Sequence, residues 1–307
     1  MLIDDANRYI ALRRSLGFKL EKTGRHLSCF THYAKEHGDI HVRAATALAW
    51  AEAVSSTRDS RYRRLQEIAL FARFLHAEDP AHEVPNYHLF YRPKSRPAPY
   101  IYSPEEIVRM LDAAGRLRRQ KPSPLRRHVH VMLLGLLAST GLRVSEALNL
   151  MLGDLLPNGV LHIRQTKFNK SRLVPMHASV VDALHAYLVV RQRIAGTDDH
   201  LFLSVNGKPM SHRTTVHSNF QVILAAAGVG QDQSRRPRIH DLRHTFATRV
   251  LEQCATRRES VARDFIALST YLGHGNIKHT YWYLEATPDL MADIASAAEA
   301  LVAGEVA

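Results

Sequence analysis

The chain has 307 residues, of which 46% are apolar and 23% charged, enough to bury a real core and too balanced for general disorder. Lys and Arg number 41 against 29 Asp and Glu, a net charge of +12 shared by both halves, which suits a polyanionic partner and first of all nucleic acid. Two cysteines in different halves, Cys29 and Cys254, exclude a disulfide framework and a cysteine-built metal site.

Two domains are expected at this length. Residues 1–85 read as a small helical bundle. Leu2 to Leu16 has helical apolar spacing and stops at Gly17. A second helix is predicted from Thr23, with Leu27, Phe30, Tyr33 and Ala34 on one face, ending at Gly38. An Ala-rich helix follows over Ala44 to Val54, and a fourth starts near Ser60 with Leu65, Ile68, Ala72 and Leu75 inward. Pro80, Pro85, Pro93, Pro97 and Pro99, with Arg92, Lys94 and Arg96 among them, predict an extended basic linker over 86–102. Residues 103–307 form the second domain. Ser103-Pro104-Glu105-Glu106 opens a helix, with Ser as N-cap, Pro in the first helical position and acids in the first turn. His128 to Ala138 is apolar nearly all round and predicts a buried helix. Residues 159–164 and 172–176 alternate apolar and polar around Gln165 to Ser171, the pattern of a β-hairpin. Helices are expected again from Ser179, around 214–227, from His240 past Val250, and at the C-terminus. The fold class is therefore mainly α with a small β-hairpin or sheet. The first residues lack the apolar core of a signal peptide, and the longest apolar stretch, Val129 to Ala138, is too short to span a bilayer. A cytoplasmic protein without membrane partners is expected.

Three segments carry chemistry. The first is Thr140-Gly141-Leu142-Arg143-Val144-Ser145-Glu146, a turn entering a helix on which Arg143 and Glu146, three apart, can pair; in isolation it reads as a surface salt bridge. The second is His240-Asp241-Leu242-Arg243-His244. An Arg fork holds two phosphate oxygens, and an imidazole beside it donates to a third. His240 and His244 also have the spacing of a zinc motif, but the acid between them is Asp241, one carbon shorter than the Glu base, and no third ligand follows. The third is Leu272-Gly273-His274-Gly275 with Tyr283 nine residues past His274. Each is weak alone; the joint order is what stands out.

In that order and context the residues resemble the tyrosine recombinases, the phage-type integrases. TGLRVSEALNL resembles the family's first arginine box, HDLRHTFAT its second, and LGHG followed by Tyr283 its third. The hairpin QTKFNKSRLVP resembles the lysine-bearing β-turn, which places the catalytic lysine at Lys167 and leaves Lys170 as the lesser candidate. The resemblance covers about residues 100–290; residues 1–85 resemble the family's core-DNA-binding domain by position and size only. It implies a site-specific DNA recombinase working on double-stranded DNA without metal, nucleotide or other cofactor. Arg143, Arg243, His240 and His274 would cage the phosphate, Tyr283 would attack to give a 3′-phosphotyrosine, and Lys167 would protonate the leaving 5′-oxygen. Glu146 would orient Arg143 or another basic group. The family also implies a homo-tetramer on paired sites, accessory recombinases or DNA-bending proteins, and residence on the nucleoid. DNA-contact candidates are Arg116, Arg118, Arg119, Lys121, Arg126 and Arg127, a basic run without an acid, together with Lys170 and Arg172 on the hairpin.

Two departures stand beside the resemblance. Arg243 and His274 are 31 residues apart, a long gap that includes Arg257, Arg258 and Arg263. The tyrosine-rich contexts around Tyr271 and Tyr281-Trp282-Tyr283 look most like transposon-borne members and leave Tyr281 and Tyr271 as rivals to Tyr283. Alternative readings are a type IB topoisomerase that reseals the same strand and a catalytically silent DNA-binding protein.

Overall fold

The computed structural model describes residues 2–91, 98–117, 125–164, 171–194, 198–204, 207–210, 215–231, 236–255 and 261–273. Residues 1–96 and 97–307 form separate compact units.

The first unit is a bundle of α1 (Leu2–Ser15), α2 (Glu21–Glu36), α3 (Ala44–Ala53) and α4 (Arg58–His76). In α1, Asp4 and Asp5 sit in the first turn and Arg13 and Arg14 in the last, matching the helix dipole at both ends. The start of α2 differs from expectation. Leu20, with φ 46°, turns the chain into the helix two residues before Thr23, whose hydroxyl instead donates to Glu67 Oε1 at 3.3 Å. Similarly, α4 begins ahead of Ser60, because the Thr57 hydroxyl accepts the Ser60 N–H at 3.3 Å as N-cap. Leu27, Phe30, Ala47, Trp50, Leu65, Ile68 and Phe71 make the core, with Phe30 edge-on to Trp50. The stretch expected to be extended linker is anchored at its start: Tyr87–Phe90 forms a short 3-10 helix, and Tyr87 and Phe90 pack on the bundle core. Aromatic area offered to an apolar surface outweighs the extended bias of the flanking prolines.

The second unit opens with α5 (Pro104–Gly115). Its capping box is complete: the Ser103 hydroxyl accepts the Glu106 N–H at 3.1 Å, and the Glu106 carboxylate accepts the Ser103 N–H at 2.9 Å. Just before it, Tyr102 is fully buried, and the Thr245 hydroxyl accepts its N–H at 3.0 Å. The linker's far end is thus also tied down. Then come α6 (Arg126–Thr140), α7 (Val144–Leu148) and an antiparallel sheet of β1 (Leu155–Leu156), β2 (Val160–Ile163) and β3 (Arg172–Pro175). Helices α8 (Ala178–Ile194), α9 (His217–Ala227), α10 (Asp241–Ala255) and α11 (Val261–Leu272) follow. The core runs from Met110 and Leu133 through Leu161 and Val174 to Phe220 and Leu242. A smaller cluster, Ala247, Leu251, Phe265, Leu268 and Leu272, joins α10 to α11. No element was expected from the sequence where α11 lies.

Strands β2 and β3 pair in the register Leu161↔Val174 and Ile163↔Arg172. Leu161, Ile163 and Val174 face the core, whereas Leu173 is exposed. Since side chains alternate, Arg172 is on the core face with Val174. Among the described residues no helix is long and apolar enough to cross a membrane. The hairpin turn over 165–170 and the expected C-terminal helix lie outside the described residues.

Candidate active site

The site begins where α6 stops. Gly141 caps that helix with φ 60°, a left-handed conformation. A Cβ there would lie 2.5 Å from the Phe246 ring and 3.1 Å from Leu272, so α10 and α11 press directly on this glycine. Gly141→Ala therefore combines positive-φ strain with overpacking. It is expected to lower stability by about 2–4 kcal/mol, read as a fall in the urea midpoint with unchanged slope.

The tight turn at Gly141 delivers Arg143 as the residue preceding α7 and Glu146 one turn inside it. Glu146 is no surface partner: its side chain is 6% exposed, against 27% for Arg143. Its carboxylate accepts from Arg143 Nη1 at 2.6 Å and from the Arg143 backbone N–H at 3.0 Å. Arg172 joins it from β3, donating Nη1 at 3.2 Å and Nη2 at 2.8 Å. Burial pushes the Glu146 carboxyl up. The bonds and charge of Arg172, and then of Arg143, outweigh it and hold the group at about 2. One ionised carboxylate thus serves two guanidinium groups.

The second arginine is deeper still. Arg243 is 2% exposed on the first turn of α10. Its Nη1 donates to the Gly141 carbonyl and its Nη2 to the Leu272 carbonyl, both at 2.7 Å. Arg172 Nε donates to the Tyr271 carbonyl at 2.7 Å, and Arg143 Nη2 to the Gly273 carbonyl at 3.2 Å. Three arginines from three separate elements therefore meet three successive carbonyls at the end of α11. Those carbonyls lack intrahelical partners and carry the negative end of the helix dipole, which is why cations collect there. The chain continues from that point directly into His274.

His240 precedes α10, its ring edge-on to that of His244 at 4.9 Å. Burial, and then the like charges of Arg243, Arg238 and Arg143, push it down to about 4, against an upward pull from Asp241. His240 is neutral at pH 7 and acts there as a hydrogen-bonding group. Asp241 is buried and spent on Arg238, accepting its backbone N–H and its Nη2, each at 2.8 Å. It starts the helix and does not serve as the base of a zinc motif. Elsewhere, in the first unit, ligand atoms of His41, Asp79 and His82 come within 4.8 Å of one another. They fit a metal poorly. His82 Nδ1 accepts the Val42 N–H at 3.1 Å, so the neutral ring keeps its proton on the other nitrogen and has no lone pair to offer.

Arg172 was expected on the DNA side of the hairpin. The register corrects this: all three of its guanidinium nitrogens are used inside the protein, and its side chain is 10% exposed. Arg126 is likewise turned inward, donating to Asn219 Oδ1 at 2.5 Å, while Asn219 in turn bonds His130. Arg127 donates to His128 and is half-buried, and Arg116 is exposed at the end of α5. Tyr271 packs in parallel on Phe246 and donates its hydroxyl to the Pro175 carbonyl at 3.2 Å. Burial pushes its phenol up to about 12, slightly offset by Arg172. Arg118, Arg119, Lys121, Lys167, Lys170, His274, Tyr281 and Tyr283 lie outside the described residues.

A mainly helical unit in which two arginines and an acid are fixed at the end of α11, immediately before Gly-His-Gly in the sequence, defines the class. The model of the phage integrase family matches residues 102–289. The chain belongs to that family, the tyrosine recombinases, and is a site-specific recombinase that cuts and rejoins DNA strands through a tyrosine intermediate. It is 40% identical over 291 residues to a Sinorhizobium fredii protein named integrase/recombinase y4rB, covering 92% of each chain. It is 30% identical to tyrosine recombinase XerD of Brucella abortus, over 79% of this chain and 76% of the other. Among solved structures, the fold is shared with the Tn1549 transposon integrase in complex with circular intermediate DNA, at TM-score 0.63 and 20% identity over 95% of this chain and 98% of that one.

Proposed function

We propose that Arg143 and Arg243 clamp the non-bridging oxygens of a scissile phosphodiester in double-stranded DNA, with His240 and His274 as further donors. Tyr283 attacks phosphorus in line, its hydroxyl proton passing to water. The bond to the 5′-oxygen breaks, that oxygen takes a proton from Lys167, and a 3′-phosphotyrosine remains until a 5′-hydroxyl of another strand displaces the tyrosine. The observation that carries this reading is the convergence of Arg143 and Arg243 on successive carbonyls immediately before His274. Fixed cations cost no reorganisation as charge moves onto the phosphate oxygens, which is where most of the rate must come from. Tyr283 is favoured over Tyr271, whose hydroxyl is engaged at β3. Residues 1–85 act as the core-DNA-binding domain, joined through 86–102 to the catalytic domain 103–307. Arg116, Arg118, Arg119, Lys121 and Lys170 supply phosphate contacts. On paired sites four copies assemble, with accessory recombinases or DNA-bending proteins, and the protein resides on the nucleoid.

The test uses nicked duplexes tiled from the DNA flanking the chain's own gene, followed by denaturing electrophoresis. A covalent protein–DNA adduct is expected to form equally with and without EDTA. An adduct that needs zinc would overturn the arginine-only account. Rejoining confined to the original strand would make the activity that of a topoisomerase.

A further inference from the structure

We propose that Arg172 is a positioning residue for strand cleavage: by sharing the Glu146 carboxylate it leaves Arg143 a positive charge to spend on the phosphate, and it ties β3 to the end of α11. This rests on the phosphate-clamp role of Arg143 proposed above.

Strand alternation aims Arg172 inward, opposite Ile163 and beside Val174. A guanidinium placed there must be paired to be tolerated. Its fork meets both Glu146 oxygens, and its Nε closes on the Tyr271 carbonyl. It also packs against Gly273: a Cβ on this glycine, whose φ is 68°, would sit 2.8 Å from Arg172 Nη1. Arg172 thus touches the partner of one active-site arginine, the helix end that holds both, and the glycine before His274.

The charge balance gives this contact a consequence. Glu146 alone with Arg143 would make a one-to-one ion pair in a poorly solvated site and cancel most of the field that Arg143 presents to a phosphate. With Arg172 added, two guanidinium groups share one carboxylate and one positive charge is left over. Glu146 stays ionised throughout the neutral range, so this balance is built in and does not titrate. Arg143 is the more exposed of the two arginines, so the surplus charge is offered on the open side of the cluster.

The experiment compares Arg172→Met, Glu146→Gln and the double variant, scoring the rate of covalent adduct formation on the nicked duplexes and duplex binding by gel shift. Arg172→Met is expected to slow adduct formation about 10- to 100-fold, as loss of an outer partner of a reactive group does, with duplex binding nearly unchanged. The double variant restores the single surplus charge and is expected to regain at least about tenfold of that loss, a coupling that a purely structural role would not give. A double variant as slow as Arg172→Met, or an Arg172→Met as fast as the parent, overturns the proposal. If Arg172→Met unfolds, Arg172→Lys keeps the charge without the fork and is expected to stay within about tenfold of the parent; a loss of more than about 100-fold at a parental urea midpoint overturns the charge argument. Inorganic phosphate titrated calorimetrically at constant ionic strength gives a readout free of the reaction. Its affinity should fall in Arg172→Met and return in the double variant. A parent protein that forms no adduct on any flanking duplex defeats the proposed reaction, while the phosphate titration still decides the charge balance.

Discussion

Tyr283→Phe is expected to abolish covalent attachment to DNA, by about 10⁵- to 10⁶-fold, the scale on which enzymes lose their nucleophile. Only one oxygen is removed. The clamp of Arg143 and Arg243 is untouched, and the hydrogen bond of one neutral hydroxyl is worth about 1 kcal/mol net, so duplex binding should stay within about fivefold. Gel shift and denaturing electrophoresis on the same nicked duplex separate the two effects. The matching variant Tyr281→Phe should retain attachment. Attachment that survives in Tyr283→Phe and disappears in Tyr281→Phe would move the nucleophile two residues upstream.

Arg243→Ala is expected to be the most damaging change within the described site, because Arg243 joins a proposed role in the chemistry to its contacts in the architecture. As a lost transition-state donor it should cut cleavage about 10²- to 10³-fold. As a buried side chain it leaves the Gly141 and Leu272 carbonyls without its donors. At about 1–3 kcal/mol for each buried group deprived of its bond, stability should fall by about 2–6 kcal/mol. Urea unfolding and single-turnover cleavage measure the two separately. Arg143→Ala, with a more exposed side chain, should lose cleavage on a similar scale with a smaller stability cost. If Arg243→Ala unfolds at the parental urea midpoint, the carbonyl contacts hold nothing together.

Much of this molecule is legible in its residue order. Ser103-Pro104-Glu105-Glu106 states its own helix start, and the capping box forms as written. The alternation at 159–164 and 172–176 gives the hairpin, because a two-residue period is a local property of the chain. The two arginine boxes are also local: each puts its arginine beside a helix start. Helix starts are less legible in the first unit, where a left-handed Leu20 and the Thr57 cap set boundaries that apolar spacing does not reveal. The α11 helix (Val261–Leu272) shows in the sequence only as extra length between two motifs, and its apolar face is specified by packing on α10.

The inward turn of Arg172 has a signal in the strand itself. Val174 is apolar on the same strand, so a residue two before it faces the same way. A charged side chain after a lysine-bearing turn reads as a DNA contact until something buried is known to await it. That something is Glu146, 26 residues earlier, and the Tyr271 carbonyl, 99 residues later.

The residue order by itself determined the mainly helical class with its hairpin and the family, and it nominated the reactive groups, since all of these are carried by composition, short periods and short motifs. Only the tertiary structure decided how those groups are held. The bonds from Arg243 to the Gly141 carbonyl and from Arg143 to the Gly273 carbonyl join residues 102 and 130 apart. No local preference encodes such a meeting. It arises because packing α6, α10 and α11 around Gly141 brings the unpaired carbonyls of a helix end within reach of three guanidinium groups, and burial then makes each of those bonds obligatory.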